Sequence, residues 1–378
     1  MIKQEFGKSI NVLFTGGGTG GHLYPAIALA EELKRRQAEL GEIKILFIGS
    51  ERGLEAQVLP NLGYTLKTIW IRGWQRGWKF RDIALNLLFP IRLIVSFLQS
   101  WWYIRNFMPD LAIGTGGYTA GPPLRIAALK KIPIYLQEQN VFPGATTRLL
   151  AKHARRVYIS FKESEKFLPD ALWYGTPLRQ SLRQVEKSQA LLFFELASNR
   201  RTILIFGGSQ GAHAINQYWA EHLAELLTQS PCQVIWQTGQ REYGSLSNMF
   251  LDNPLVHITP FIHDMGIAYS AADLIVSRAG AISLAEICLY GKPAVLIPLP
   301  TAAGNHQEIN ARNLEKNGAA VVVLQKELNT NRLLEVIKEL LADEARLVQM
   351  SQQALSLAQR DAAQKIIDDI IGASGFNA

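Results

Sequence analysis

Two stretches of the chain open in the same way. VLFTGGGTGGH (residues 12–22) and ILIFGGSQGAH (203–213) are each an apolar strand, a glycine turn and the start of a helix. A strand that feeds a helix through glycines is the opening unit of a parallel β-α-β fold. Two such openings, about 190 residues apart, imply two such domains, and 378 residues suffice for two at ~150 each. Short apolar runs recur between longer helical patterns. In the first half they are 11–15, 44–48, 66–71, 111–114, 134–137 and 157–161; in the second, 202–206, 233–237, 256–259, 274–277, 294–298 and 319–323. Continuous apolar runs mark strands buried on both faces, as in parallel sheets. The expected fold is therefore α/β, two doubly wound (Rossmann-like) domains with a boundary near Tyr174-Gly175-Thr176-Pro177. The amphipathic pattern Asp361–Ile371 is expected to pack back onto the first domain, giving domains 1–178 plus 359–378 and 179–358.

Composition narrows the classes. Hydrophobic residues make up 48% and charged residues 19%, enough to bury cores. Two cysteines, Cys232 and Cys288, rule out a disulfide scaffold or a thiolate zinc cluster. The amino terminus shows no apolar export signal, and no run of 18 uncharged apolar residues reads as a membrane span. The net charge of +7 is uneven. Residues 1–170 carry 23 Lys+Arg against 13 Asp+Glu, and the remainder 16 against 19. A basic first half suggests an anionic partner: nucleic acid, a membrane or a phosphorylated substrate.

Gly16-Gly17-Gly18-Thr19-Gly20-Gly21 fits G-x-G-x-x-G, and Gly207-Gly208-Ser209-Gln210-Gly211 is its counterpart. Glycines permit a tight turn and close approach to phosphate, and a helix amino terminus supplies N–H groups and a positive dipole. A dinucleotide site also needs an acid about 20 residues beyond the turn; Glu51 lies somewhat farther on, so that reading stays open beside a purely structural turn. His22, at the helix start, is a candidate base whose neutral form the dipole favours. In the second half Ser277–Glu286 again forms a strand end, a glycine turn and a helix start, with Glu286 placed to accept from vicinal hydroxyls. The loop Gly304–Ala311 is rich in amide groups suited to sugar hydroxyls.

The ordered set GGGTGGHLYPA (16–26), GTGGYTAGP (114–122), EQNVFPG (138–144), YGTPLR (174–179), GGSQGA (207–212), SRAGAISLAE (277–286) and HQEINA (306–311) resembles the MurG family from about residue 10 to 370. The resemblance implies the GT-B fold, two doubly wound domains facing across a cleft. It also implies transfer of N-acetylglucosamine from UDP-GlcNAc to undecaprenyl-pyrophosphoryl-MurNAc-pentapeptide, lipid I to lipid II, by an inverting reaction. On this resemblance the second domain holds UDP-GlcNAc. Arg179 and Ser209 lie near its diphosphate, the Ile262 backbone meets uracil, and the Ala281 and Ser283 amides face the phosphates. Glu286 takes the ribose, and Gln307, Asn310 and His306 lie near the sugar. Gly16, Gly17, Gly18 and Tyr118 fall on the acceptor side. Thr19, Gly20, Gly21, His22 and Asn140 count among the donor contacts, and His22 and Glu138 are both candidates for the catalytic base. No Asp-x-Asp occurs and the only paired aspartates are Asp368-Asp369 in the terminal helical pattern, so neither a metal nor another cofactor is expected.

Five of eight tryptophans lie between 70 and 102, where Lys67, Arg72, Arg76, Lys79 and Arg81 interleave with Trp70, Trp74 and Trp78. Residues 83–104 carry Arg92 as their one charge. Such a segment fits an interfacial membrane contact, with Leu87, Leu88, Phe89, Ile91, Ile94 and Phe97 entering the lipid boundary. The expected location is peripheral, on the cytoplasmic face of the plasma (inner) membrane. Expected partners are anionic lipids and the cell-wall or division machinery, with no nucleic acid. Competing readings are a diacylglycerol-dependent glycolipid synthase, a UDP-GlcNAc 2-epimerase and a non-catalytic sensor.

Overall fold

The computed structural model describes residues 9–73, 87–180, 182–208 and 211–376. The chain divides into two compact units, Met1–Arg179 with Asp361–Ala378, and Gln180–Arg360.

The first unit is built on seven parallel strands: β1 (Ile10–Thr15), β2 (Ile43–Ser50), β3 (Thr65–Ile69), β4 (Leu111–Gly114), β5 (Ile134–Glu138), β6 (Arg156–Ile159) and β7 (Leu172–Trp173). Their order is β3-β2-β1-β4-β5-β6-β7. The second unit has six, β8 (Arg201–Phe206), β9 (Cys232–Gln237), β10 (Val256–Thr259), β11 (Leu274–Ser277), β12 (Ala294–Leu296) and β13 (Ala320–Val322), in the order β10-β9-β8-β11-β12-β13. Both sheets are parallel throughout and reverse winding direction beside their first strand, between β1 and β4 and between β8 and β11. The apolar runs of the sequence are these strands. The two-residue edge strand β7 had no such run to mark it.

The helices used below are α1 (Gly20–Arg35), α2 (Glu55–Asn61), α3 (Phe89–Phe107), α4 (Gly121–Leu129), α5 (His213–Gln229), α6 (Ala281–Leu289), α7 (His306–Lys316) and α8 (Ala362–Ser374). A matched pair of bonds fastens the start of each sheet's central strands. The Asn11 N–H donates to Asp110 and the Thr202 N–H to Asp273, each at 2.8 Å, while the Asp110 and Asp273 amides return bonds to the Asn11 and Thr202 carbonyls.

Although it is last in sequence, α8 belongs to the first unit. Ile366, Ile367 and Ile370 are fully buried in the core with Val12, Phe14, Leu23 and Ile27. Polar ends fix its register: the Tyr158 hydroxyl donates to Asp369 at 2.7 Å, Tyr135 bonds Ser374 at 2.7 Å, and Arg36 pairs with Asp368 at 2.6 Å. Burial and the Asp369 carboxylate raise the Tyr158 hydroxyl far above its usual pKa, so it stays a donor. Truncating a buried isoleucine removes packing that the surroundings refill only in part. Ile370→Ala is expected to cost about 2–5 kcal/mol, read as a lower midpoint in urea unfolding of the full chain, whereas Lys365→Ala on the same helix is expected to leave it nearly unchanged.

Candidate active site

The first site forms where β1 and β4 end. Their loops diverge at the winding reversal and leave a crevice beyond the strand ends. The turn 16–21 follows β1, and residues 115–118 follow β4. Much of the glycine content answers to neighbours inside the protein. At Gly17 a Cβ would meet the Glu55 carboxylate at 2.6 Å; at Gly18, which has φ +84°, it would meet the Tyr118 ring at 2.7 Å. Glu55 is fully buried and accepts from the Ser50 N–H and hydroxyl, each at 2.8 Å, and from the Gly18 N–H at 2.9 Å. The turn expected to cradle phosphate thus already carries an internal carboxylate on one amide. Glu51, considered above for a ribose, is exposed. Thr19 caps α1 in extended conformation and is exposed, and the space above Gly21 is open to within 3.6 Å of Thr19 Oγ1.

His22 is half-buried, and its Nδ1 lies 2.9 Å from the Thr115 carbonyl and 3.0 Å from Gln139 Oε1. Both partners accept, so Nδ1 carries a hydrogen, and in the neutral ring the lone pair falls on Nε2. The orientation of Gln139 follows from its own nitrogen, which donates to the Thr115 carbonyl at 2.8 Å and to the Gln137 side-chain oxygen. Thr115 in turn donates its hydroxyl to the His22 carbonyl at 2.6 Å. The ring is therefore fixed in position and tautomer by residues from the ends of β4 and β5.

Glu138 ends β5 and is buried. One carboxylate oxygen accepts from the Asn140 N–H and side-chain amide, each at 3.1 Å, and the other from the Gly144 N–H at 3.0 Å. It clamps the 140–144 loop, and its acceptor positions face that loop. Of the two candidate bases, His22 alone presents an oriented, partly accessible lone pair. Tyr118 lies over the glycine turn against Gly18 and Gly73. Arg179 stacks on the Tyr24 ring of α1, 4.4 Å from its centroid, in the first unit.

The second site repeats the plan at β8 and β11. Gly208 has φ +96° with open space where a Cβ would stand. Ser209 lies outside the described residues. Gly280 caps α6, so the first-turn N–H groups, including those of Ala281 and Ser283, face out of the helix end, where an anion is favoured. Arg278, which follows β11, is buried and bonded to three neutral acceptors: the Ile297 and Pro298 carbonyls at 3.1 Å and Gln325 Oε1 at 2.6 Å. Burial lowers its pKa to about 10, which still leaves it charged at neutral pH. Glu286 is buried and accepts from the Tyr269 hydroxyl at 2.8 Å. Burial first, then the Glu286 carboxylate, holds that hydroxyl well above its usual pKa, so it stays a donor.

The Ile262 N–H is committed to Gln237 Oε1 at 2.9 Å. On α7, Gln307 accepts from the Leu299 N–H at 2.9 Å, His306 Nδ1 lies 2.6 Å from the Ala303 carbonyl, and Asn310 is buried. The structure thus brings Gly16–Gly21, His22, Tyr118, Glu138 and Asn140 to the strand ends of the first unit. Ile262, Ala281, Ser283, Glu286 and the α7 residues belong to the second unit. Sequence reasoning missed Glu55, Thr115, Gln139, Tyr269, Gln237 and Arg278. Three of them stood in quoted motifs: Thr115 in GTGGY, Gln139 in EQN and Arg278 in SRAGA.

Residues 12–159 match the glycosyltransferase family 28 N-terminal domain, and residues 202–366 match the family's C-terminal domain. A relative from Salinibacter ruber, named UDP-N-acetylglucosamine--N-acetylmuramyl-(pentapeptide) pyrophosphoryl-undecaprenol N-acetylglucosamine transferase, is 40% identical over 363 residues, 96% of each chain. Among solved structures, Acinetobacter baumannii MurG superposes with TM-score 0.76 at 30% identity, covering 96% of this chain and 99% of that one. The UDP-GlcNAc 2-epimerase of Neisseria meningitidis superposes with TM-score 0.65 at 15% identity, covering 97% of this chain and 100% of that one, and shares the fold alone.

The geometry around His22 fixes a measurable tautomer. Long-range ¹⁵N–¹H spectra of the neutral ring are expected to show hydrogen on Nδ1 and a basic Nε2. A predominant Nε2–H form would mean that Thr115 and Gln139 do not orient the ring.

Proposed function

Because the chain belongs to the MurG family of glycosyltransferases, we propose that it transfers N-acetylglucosamine from UDP-GlcNAc to undecaprenyl-pyrophosphoryl-MurNAc-pentapeptide, converting lipid I to lipid II in peptidoglycan synthesis. The observation that carries this reading is the 40% identity over 96% of both chains, which takes in both domains.

The reaction is an inverting displacement. His22 Nε2 takes the proton of the MurNAc 4-hydroxyl, the oxygen attacks the anomeric carbon, and UDP departs with the bonding pair. His22 suits the base role because its tautomer is already set. Glu138 serves by holding the 140–144 loop. Tyr118 and the glycine turn line the acceptor side. Since Glu55 occupies the Gly18 amide, the amides of Gly20 and Gly21 beside Thr19 remain for substrate phosphates.

In the second unit the Ala281 and Ser283 amides meet the UDP diphosphate, and the Arg278 charge helps to hold the departing negative charge. Glu286, aimed by Tyr269, accepts from the ribose hydroxyls. The Ile262 loop meets uracil through its carbonyl, its N–H being committed to Gln237. Gln307, Asn310 and His306 flank the sugar.

Turnover with UDP-GlcNAc and a short-chain lipid I analogue tests the assignment, with diacylglycerol and acceptor-less reactions alongside. Disaccharide product is expected with the lipid I analogue alone. Product on diacylglycerol would assign a glycolipid synthase, and conversion without acceptor an epimerase. In this assay His22→Ala is expected to lower kcat by about 10²–10⁴. Glu286→Ala should instead raise the donor KM roughly tenfold to a hundredfold.

We further propose that the protein works on the cytoplasmic face of the plasma membrane, where its lipid acceptor resides. Among the described residues no helix is long and apolar enough to cross a membrane. Support comes from α3, which is inverted for a surface helix. Ser96 and Ser100 are buried, with hydroxyls bonded to carbonyls of their own helix, while Ile94 and Leu98 are 61% and 64% exposed. Leu87, Leu88, Ile91, Trp101 and Trp102 are exposed as well. Phe97, expected at the lipid boundary, packs instead against the core beneath, and Phe89 is half-buried. Arg105 and Lys130 cover the Trp101 ring at 5.2 and 5.5 Å and ring the apolar face with charge. Trp74, Arg76, Trp78, Lys79 and Arg81 lie outside the described residues; Lys67 and Arg72 lie within them.

Each basic group near an anionic surface contributes about 1 kcal/mol, screened as salt rises, whereas apolar insertion resists salt. Vesicle co-sedimentation is therefore expected to show partial release by salt. Ile94→Ser with Leu98→Ser should release most of the remainder while sparing turnover on a water-soluble acceptor. Wild type that ignores anionic vesicles at low salt would remove this reading.

A further inference from the structure

Gln237 is the last residue of β9, and its side chain is buried. Both ends of that side chain are used, on two different loops. The amide nitrogen donates to the Gly208 carbonyl at 2.9 Å, and the amide oxygen accepts from the Ile262 N–H at 2.9 Å. Gly208 lies in the turn after β8, and Ile262 lies beyond the end of β10. Because β9 is hydrogen-bonded to both of these strands, its end stands between the two loops.

The two contacts bear on backbone that is otherwise loosely determined. Gly208 has φ +96° and open space on its Cβ side, so side-chain packing does not set its conformation. Its carbonyl is pinned by the Gly211 N–H at 3.0 Å and by Gln237. The loop at Ile262 is tied by the Thr259 hydroxyl to the Phe261 carbonyl at 3.1 Å and, one residue on, by Gln237. Ile262 is itself buried, so without the glutamine its N–H would lose its acceptor away from water, which the loop can relieve only by moving. A neutral side chain that donates at one end and accepts at the other meets both demands. Leucine or methionine meets neither, and glutamate meets one.

We propose that Gln237 is a positioning residue for the donor nucleotide: its oxygen sets the loop that meets the base, and its nitrogen sets the turn that meets the diphosphate. The proposal rests on the donor-site reading of the second unit given above. Gln237 touches neither the reacting carbon nor the acceptor, so its effect belongs in nucleotide binding and donor KM, not in kcat at saturating donor.

The test is equilibrium binding of uridine and of UDP to the full-length protein, for wild type, Gln237→Met and Gln237→Glu. Methionine keeps the length and removes both bonds. Uridine affinity is expected to fall roughly threefold to tenfold, and UDP affinity to fall further. Glutamate keeps an acceptor for the Ile262 N–H but sets an oxygen against the Gly208 carbonyl. It should return uridine affinity to near the wild-type value and leave UDP binding weak. Because uridine is uncharged, the new carboxylate does not repel it. A residue that merely stabilises the fold would not be rescued for uridine alone by a buried carboxylate. Equal loss of uridine affinity in both variants, or wild-type affinities in Gln237→Met, overturns the proposal. Should Gln237→Met fail to fold, the Gln237→Glu split between uridine and UDP decides alone. Wild type that binds neither compound overturns the donor-site reading, and this proposal with it.

Discussion

Both candidate sites depend on the reversal of winding beside the first strand of each sheet. At β1/β4 and again at β8/β11, neighbouring parallel strands send their helices to opposite faces. Their loops therefore part, and a gap opens beyond the strand ends that no side chain of the sheet can fill. The first gap holds His22, Thr115 and Tyr118; the second holds the Gly208 turn and the amino terminus of α6. The strands beside each reversal carry the supporting residues, so that Gln139 and Glu138 at the end of β5 and Gln237 at the end of β9 reach back into the loops with side-chain amides and carboxylates.

The two gaps look alike in sequence and differ in buried charge. Under the first glycine turn lies the Glu55 carboxylate; in the second unit the Arg278 guanidinium, just after β11, is held by neutral acceptors. Backbone amides oriented toward the gap are common to both, so the fixed charge buried in each unit sets what each favours. A guanidinium whose partners are all neutral keeps its positive charge uncompensated by any of them. In the first gap a carboxylate consumes an amide, and the His22 ring is oriented by the Thr115 carbonyl and the Gln139 side chain. Gene-level symmetry of motif thus coexists with a division of labour.

Strands, their parallel sense and the two-domain plan were legible because apolar runs and glycine turns are local signals. The edge strand Leu172–Trp173 was not, since two residues carry no periodicity. At the site, residues in the quoted motifs were placed at the correct strand ends, but the reason for the glycines was only half visible. Gly17 and Gly18 were read as leaving room for phosphate. Their space is taken by Glu55 and Tyr118, 38 and 100 residues away in sequence, and nothing local announces such contacts. The same holds for Gln139 and Tyr269: their importance lies in which atom they face, which depends on the packing of strands far apart in the chain. Glu138, a candidate base on the resemblance, accepts from three donors of the 140–144 loop, contacts that its place in the motif does not announce.

Helix α3 makes a related point about energetics. A surface helix normally turns its apolar stripe inward, because that burial stabilises the fold. Here the inward face mixes Ser96 and Ser100, whose hydroxyls are satisfied by carbonyls within the helix, with Ile104 and Phe97, while Ile94 and Leu98 face out. Exposing two such side chains in water forgoes roughly 1.5–3 kcal/mol each relative to burying them. The arrangement is thus unfavourable for a protein that lives in water alone and becomes favourable once the face meets an apolar phase. Flanking Arg92 over Trp70 and Arg105 over Trp101 keep cations at the rim, where an anionic surface would find them. Helix α3 packs on the same unit that carries His22, so the proposed lipid contact and the proposed base belong to one compact body.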